Sequence, residues 1–240
     1  MDMDVPNRRL VLFDMDSTLI KVSEWHWEAY RRTAQTVFGV DAAKHYQRGS
    51  HSGNTQRNLL QALARNAGLK ETVIEARLDD ATATLAATLI HILPADLSPY
   101  ILPGVLPLLC ALRQEGHALG LVTGSVGPSA RTILGRSGLA RFFPAYAFGD
   151  EGNARIELVH LAIERATEAF GWRPDTHSLV VVGDAPNDIR AGRDAGAWVV
   201  AVATGFFTEE ALAQLGPDVV LPDLGDWQRA RQAILDGRPG

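Results

Sequence analysis

Short apolar runs recur along the chain as LVLF at 10–13, ALGLVT at 118–123, SLVVVG at 178–183 and AWVVAVAT at 197–204. None alternates with polar residues, so each suits a strand buried on both faces rather than one half-exposed to water. Between them, residues 104–115, 129–137, 156–170 and 187–195 carry apolar positions at mixed spacings of three and four, the period of a helix. These stretches close on Gly116, Gly138, Gly171 and Gly196, the residue type that takes left-handed backbone past a helix C-terminus. Strands alternating with helices imply βαβ units. The pattern therefore predicts an α/β core of the doubly wound, Rossmann-like kind, a parallel sheet with helices on both faces.

Residues 21–95 break the alternation. WHWEAYRRTAQTVFG, TQRNLLQALARNAG and ETVIEARLDDATATLAATLIHIL all read as helices, with no convincing strand among them. The expected organisation is a catalytic core of residues 1–20 and 96–240 with an inserted α-helical cap domain of residues 21–95. Pro94, Pro99, Pro103 and Gly104 mark the return and suit a hinge. Helices packed rigidly on the core are the alternative to a moving lid.

Composition narrows the function classes. In 240 residues, 28 acidic side chains outnumber 23 basic ones and no basic stretch stands out, which argues against a nucleic-acid or membrane-surface partner and for a small molecule. Cys110 is the single cysteine, which excludes an internal disulfide and favours a reducing, cytoplasmic setting. The start MDMDVPNRRL has no apolar signal core, and the apolar runs stop well short of a membrane span.

The chemistry is concentrated where strands end. LVLFDMDSTLI places Asp14 and Asp16 one residue apart, so both can project to one side if the extended geometry continues. Burying an unpaired carboxylate costs several kcal/mol, so the pair belongs at the sheet rim, where open α/β sheets bind ligands. The next strand ends at Thr123, Gly124 and Ser125, a turn that by itself is equally an ordinary loop. A further strand ends in GDAPND, where Asp184 and Asp188 flank Pro186, and these alone could merely start a helix. Taken together, acids from two strand ends repel unless they share a cation, and an all-oxygen donor set suits Mg²⁺. Thr123 and the N–H groups of the following helix would cradle an anion.

These residues resemble the haloacid dehalogenase-like hydrolase superfamily, and within it the phosphoglycolate phosphatase and β-phosphoglucomutase group. DMDST matches its first motif, Thr123 its second, and GDAPND its acidic fourth; the helical insert just after the first motif and the PGV turn at 103–105 also agree. Arg155, in GDEGNARIELVHLAIERA, stands where the family carries a third-motif cation, although an arginine at a helix start is also commonly solvated. Ser17 occupies a place where many relatives have glycine.

The resemblance implies a Mg²⁺-dependent phosphatase acting on a small phosphorylated metabolite. Asp14 would be the nucleophile, forming an aspartyl phosphate, and Asp16 the general acid and base. Asp14, the main-chain carbonyl of Asp16, Asp184 and Asp188 would hold the ion. Thr123, Gly124 and Arg155 would neutralise the phosphoryl oxygens, with Thr18 and Ser125 beside them. Family caps carry a specificity loop where this chain reads HSGNTQRN at 51–58, which makes Gly53, Asn54, Thr55 and Arg57 candidates for substrate contact, although Asn54 and Thr55 also make an ordinary helix start. Trp25 and Trp27 are expected to cover apolar surface, and the seven histidines show no metal spacing. The rival readings are a phosphosugar mutase passing the same acyl phosphate to a sugar, a haloacid dehalogenase, and a noncatalytic module that accepts phosphate on aspartate.

Overall fold

The computed structural model describes residues 8–46, 53–173 and 179–236. Strands β1 (Leu10–Phe13), β2 (Ala118–Val122), β3 (Ala145–Ala147), β4 (Leu179–Gly183), β5 (Trp198–Val202) and β6 (Val219–Leu221) form one sheet in the order β3-β2-β1-β4-β5-β6. Every pairing is parallel. β1 lies at the centre, with Leu10 opposite Ala118 on one side and Leu179 on the other. All four of its residues are buried, which is why its sequence is apolar without alternation. β3 and β6, absent from the sequence reading, are three-residue strands at the two sheet edges.

The helices are α1 (Ser23–Thr33), α2 (Ala42–His45), α3 (Gln56–Asn66), α4 (Glu71–Ile92), α5 (Val105–Gln114), α6 (Gly127–Ser137), α7 (Arg155–Phe170), α8 (Pro186–Asp194), α9 (Glu209–Ala213) and α10 (Trp227–Leu235). On one sheet face Val11 and Phe13 pack with Leu108 and Leu112 of α5, Ile133 of α6 and Ile234 of α10. On the other, Leu10 and Leu12 meet Leu158, Ala162 and Ala166 of α7, and Ile189 of α8 packs with Val199 and Ala201 of β5. Burial of each large apolar side chain contributes about 1.5–3 kcal/mol, so both faces must be covered.

Helices α1 to α4 fall between β1 and β2 and contain no strand among the described residues. α1 runs into a π-helical stretch, Ala34–Phe38, and packs along α4, which also carries α3 and touches α6. The two chain passages joining this layer to the sheet run side by side. Lys21 N donates to Tyr100 O at 2.9 Å and Leu102 N to Leu19 O at 3.0 Å. Among the described residues no helix is long and apolar enough to cross a membrane.

Candidate active site

β1 delivers the first motif. Asp14 N donates to Val182 O at 2.9 Å, carrying the pairing with β4 one residue past the strand and fixing Asp14 at the C-terminal rim of the sheet. Met15 is fully buried beneath, while Asp14 and Asp16 both line one cavity. The chain then reverses, with Leu19 N and Ile20 N both donating to Met15 O. Ser17 turns the corner at φ 64°, a left-handed conformation that costs a non-glycine residue about 1 kcal/mol. The Thr204 hydroxyl holds the Ser17 carbonyl.

β4 ends beside β1 and brings the other acids. Oxygens of Asp14, Asp184 and Asp188 lie within 4.8 Å of one another, and all three residues are buried. Asp184 approaches so closely to the loop after β5 that a Cβ on Gly205 would stand 1.8 Å from its Oδ2. Burial pushes the Asp14 carboxyl up to about 8; Arg155 opposes the shift, and Asp188 and Asp16 add to it. Asp184 is also raised, by burial first and then by Asp14 and Asp188, against the Thr18 hydroxyl that donates to it at 3.2 Å.

Arg155 opens α7 and is buried, not solvated. Its guanidinium pairs with Asp14 and, at 2.5 Å, with Asp188 Oδ1, while Asp188 Oδ2 accepts from Ala185 N at 3.1 Å. Burial opposes its charge, but Asp188 and Asp14 outweigh that and keep it protonated. One guanidinium cannot balance three ionised carboxylates, so Asp14 and Asp184 hold on to their protons, and a further cation would let them ionise. The donors are all oxygens, the set that suits a hard divalent ion such as Mg²⁺.

Asp16 directs its carboxylate elsewhere. Oδ2 accepts from Ser125 Oγ at 3.2 Å, and Oδ1 lies 3.5 Å from His26 Nε2. Thr123, Gly124 and Ser125 line the same cavity after β2. The expected cradle of helix N–H groups is narrower than the sequence suggests, because Val126 N donates to Gln56 Oε1 at 3.0 Å and Gly127 N to Asp150 Oδ1 at 2.8 Å. Gly124 N has no hydrogen-bond partner among the described residues.

The helical layer closes the cavity, which measures about 590 Å³. Gly53 and Asn54 line it, and Asn54 Oδ1 accepts from Asn187 Nδ2 at 2.9 Å. Gln56 N donates to Gly124 O at 2.8 Å. Thr55 instead caps α3 through Asn58 N at 3.2 Å, and Arg57 turns away to the exposed Asp79. Residues 51 and 52 of the expected loop lie outside the described residues. Trp25 packs edge-on against Tyr100, as covering surface; Trp27 lines the cavity with Tyr30 and Tyr46. His26, Gln56 and the two tyrosines were missed in the sequence. Helical spacing was the available signal, since Ser23, His26 and Tyr30 share a face of α1 with Trp27.

The protein is thus of the doubly wound α/β class, with three acids gathered beyond the carboxyl ends of its strands, where open parallel sheets bind ligands. The family model for haloacid dehalogenase-like hydrolases matches residues 8–196, and the chain belongs to that family. It is 28% identical over 219 residues to a phosphoglycolate phosphatase of Agrobacterium fabrum, covering 91% of this chain and 90% of that one. It is also 28% identical over 219 residues to the pyrophosphatase PpaX of Bacillus pumilus, with 90% and 93% covered. Among solved structures, a β-phosphoglucomutase of Clostridium difficile superposes with a TM-score of 0.71 at 18% identity, covering 95% of this chain and 98% of that one.

Proposed function

We propose that this chain, a phosphatase of the haloacid dehalogenase-like hydrolase family, hydrolyses a small phosphate monoester through an aspartyl phosphate on Asp14. The observation that carries the reading is the buried cluster of Asp14, Asp184 and Asp188 with Arg155 bridging two of them. Asp14, the Asp16 carbonyl, Asp184 and Asp188 would hold Mg²⁺, which would supply charge neutralisation and keep Asp14 ionised. In this reading residues 21–95 are a cap domain over a core of residues 1–20 and 96–240.

Each step then follows from the chain's own groups. The Asp14 carboxylate attacks phosphorus as the ester P–O bond breaks, and Asp16 gives its proton to the departing alkoxide. Thr123, the Gly124 N–H and Arg155 offset charge on the phosphoryl oxygens, and Thr18 holds Asp184 in place. Asp16, now ionised, takes a proton from water, which attacks the acyl phosphate and frees Asp14. Ser125 steadies the Asp16 carboxylate for both transfers. Passing the acyl phosphate to a sugar hydroxyl instead would make the enzyme a mutase.

The test is phosphate release from a panel of monoesters with Mg²⁺, beside trapping of a hydroxylamine-labile phosphoprotein. Asp14→Asn is expected to abolish both while retaining the wild-type circular dichroism spectrum. Turnover that persists in Asp14→Asn rejects this nucleophile, and EDTA-resistant turnover rejects the metal.

A further inference from the structure

We infer that Thr204, on the loop after β5, is a positioning residue whose hydroxyl pins the left-handed corner at Ser17 and so holds Asp16 and Thr18, on either side of it, in place; the inference rests on the phosphatase reading above. The turn that follows β1 is closed from within. Ser17 N donates to Ile20 O at 2.8 Å, and Leu19 N and Ile20 N donate to Met15 O at 2.9 and 3.2 Å. None of these bonds engages the Ser17 carbonyl. Among the described residues it is the Thr204 hydroxyl that does so. Ser17 is also the one non-glycine residue at positive φ among those described, at 64°. A Cβ disfavours that conformation, whereas glycine takes it as readily as its mirror image. Without a partner for its carbonyl, Ser17 gains by relaxing towards negative φ, and the peptide planes on both sides turn with it.

Both neighbours would feel that turn. The Asp16 carboxylate accepts from Ser125 Oγ at 3.2 Å, and the fully buried Thr18 donates to Asp184 at 3.2 Å, contacts already near the limit of a hydrogen bond. Moving such groups by about 1 Å is enough to cost up to about a hundredfold in rate. The loop that carries Thr204 is placed to act as an anchor. β4 separates β5 from β1 in the sheet, and the loop reaches across its end. On one side of Thr204, Ala203 N donates to Leu221 O at 2.9 Å; on the other, Gly205 abuts Asp184 so closely that a Cβ there would stand 1.8 Å from Oδ2. Neither contact involves the Thr204 side chain, which is half-buried. Removing its hydroxyl therefore frees the corner and leaves the anchor where it is.

The experiment is a double-mutant cycle on the full chain, Thr204→Val with and without Ser17→Gly, read as kcat and KM with Mg²⁺ on phosphoglycolate and 4-nitrophenyl phosphate and as Tm in EDTA. Thr204→Val is expected to lower kcat by about tenfold with KM changed by less than about threefold, and to lower Tm by about 2–4 °C. Thr204→Ser, which keeps the donor, should restore most of both. With glycine at position 17 the corner holds itself, so the kcat loss caused by Thr204→Val should shrink by at least about threefold, and the Tm loss with it. Equal losses in the two backgrounds, a loss confined to KM, or wild-type kcat in Thr204→Val overturns the inference. Thr204→Ala takes the place of the valine variant if that one does not fold. Wild-type turnover that persists in Asp14→Asn rejects the nucleophile and leaves the cycle to be read as before, whereas a wild type inactive on both esters overturns the phosphatase reading and this inference with it.

Discussion

At the scale of single residues, the site turns on how one guanidinium is shared. Arg155 bridges Asp14 and Asp188, and a planar fork can do this where a point charge must choose. Arg155→Met leaves two buried carboxylates facing each other without compensation, so kcat/KM with Mg²⁺ is expected to fall about 10²- to 10³-fold. Arg155→Lys keeps the charge but loses the fork, so its kcat/KM should fall between Met and wild type. Near-wild-type kinetics in the Met variant would mean that Arg155 serves packing alone. Arg155 was legible in the sequence because a helix start between the second and fourth motifs offered an arginine and no lysine. His26 was not legible. Its partner is Asp16, ten residues earlier in the chain, and only the turn built on Met15 and Ser17 brings α1 back over that carboxylate.

Elements set the distances that residues then use. α1 places His26 beside Asp16, and Gln56 at the start of α3 links His26, at 3.4 Å, to Val126 N in the loop after β2. The helical layer thereby touches the group assigned the proton transfers. His26→Ala is expected to lower kcat by about tenfold to a hundredfold with a smaller change in KM, as for a group that positions a reacting one; a change in KM alone would assign it to substrate binding. The two layers approach closely at Gly124, where a Cβ would stand 2.0 Å from Asn54 O. Gly124→Ala should therefore push the segment from Gly53 to Gln56 off the β2 loop and raise KM by about tenfold or more. Gly135, exposed on α6 with nothing within 4 Å of a Cβ, is the control. Gly135→Ala should leave kinetics unchanged and stabilise the chain by up to about 1 kcal/mol. Equal kinetic effects at both glycines would remove the steric argument.

Across the whole molecule, legibility followed the strength of local physics. β1, β2, β4 and β5 are four or five residues long and buried, so composition alone exposed them. β3 and β6, at the edges and three residues each, fall below the length at which an apolar run is distinguishable from a loop. The sheet in turn gathers acids distant in the chain, and the resulting charge imbalance makes global stability a readout of the site. Without metal, Asp14 titrates at about 8 in the fold against 3.8 for the ordinary group. Between those values the folded chain binds more protons than the unfolded one, so this contribution to stability is complete below about pH 4 and is lost as pH rises towards 8. Asp184 acts in the same sense. Half-buried His117 acts in the opposite sense, but burial holds its folded value below 6.5, so its contribution is complete just above that pH. In EDTA, Tm should therefore fall between pH 7 and 8.5, and Asp14→Asn should flatten the slope. Mg²⁺ replaces the bound proton, so its stabilisation should grow over the same interval. At a hundred times its dissociation constant it contributes about 2.7 kcal/mol, or about 5–10 °C for a chain of this size. Thermal unfolding of both proteins, with EDTA and with Mg²⁺, checks each part: a rising Tm in EDTA would refute the raised Asp14 titration, and an equal Mg²⁺ shift in Asp14→Asn would place the ion away from Asp14.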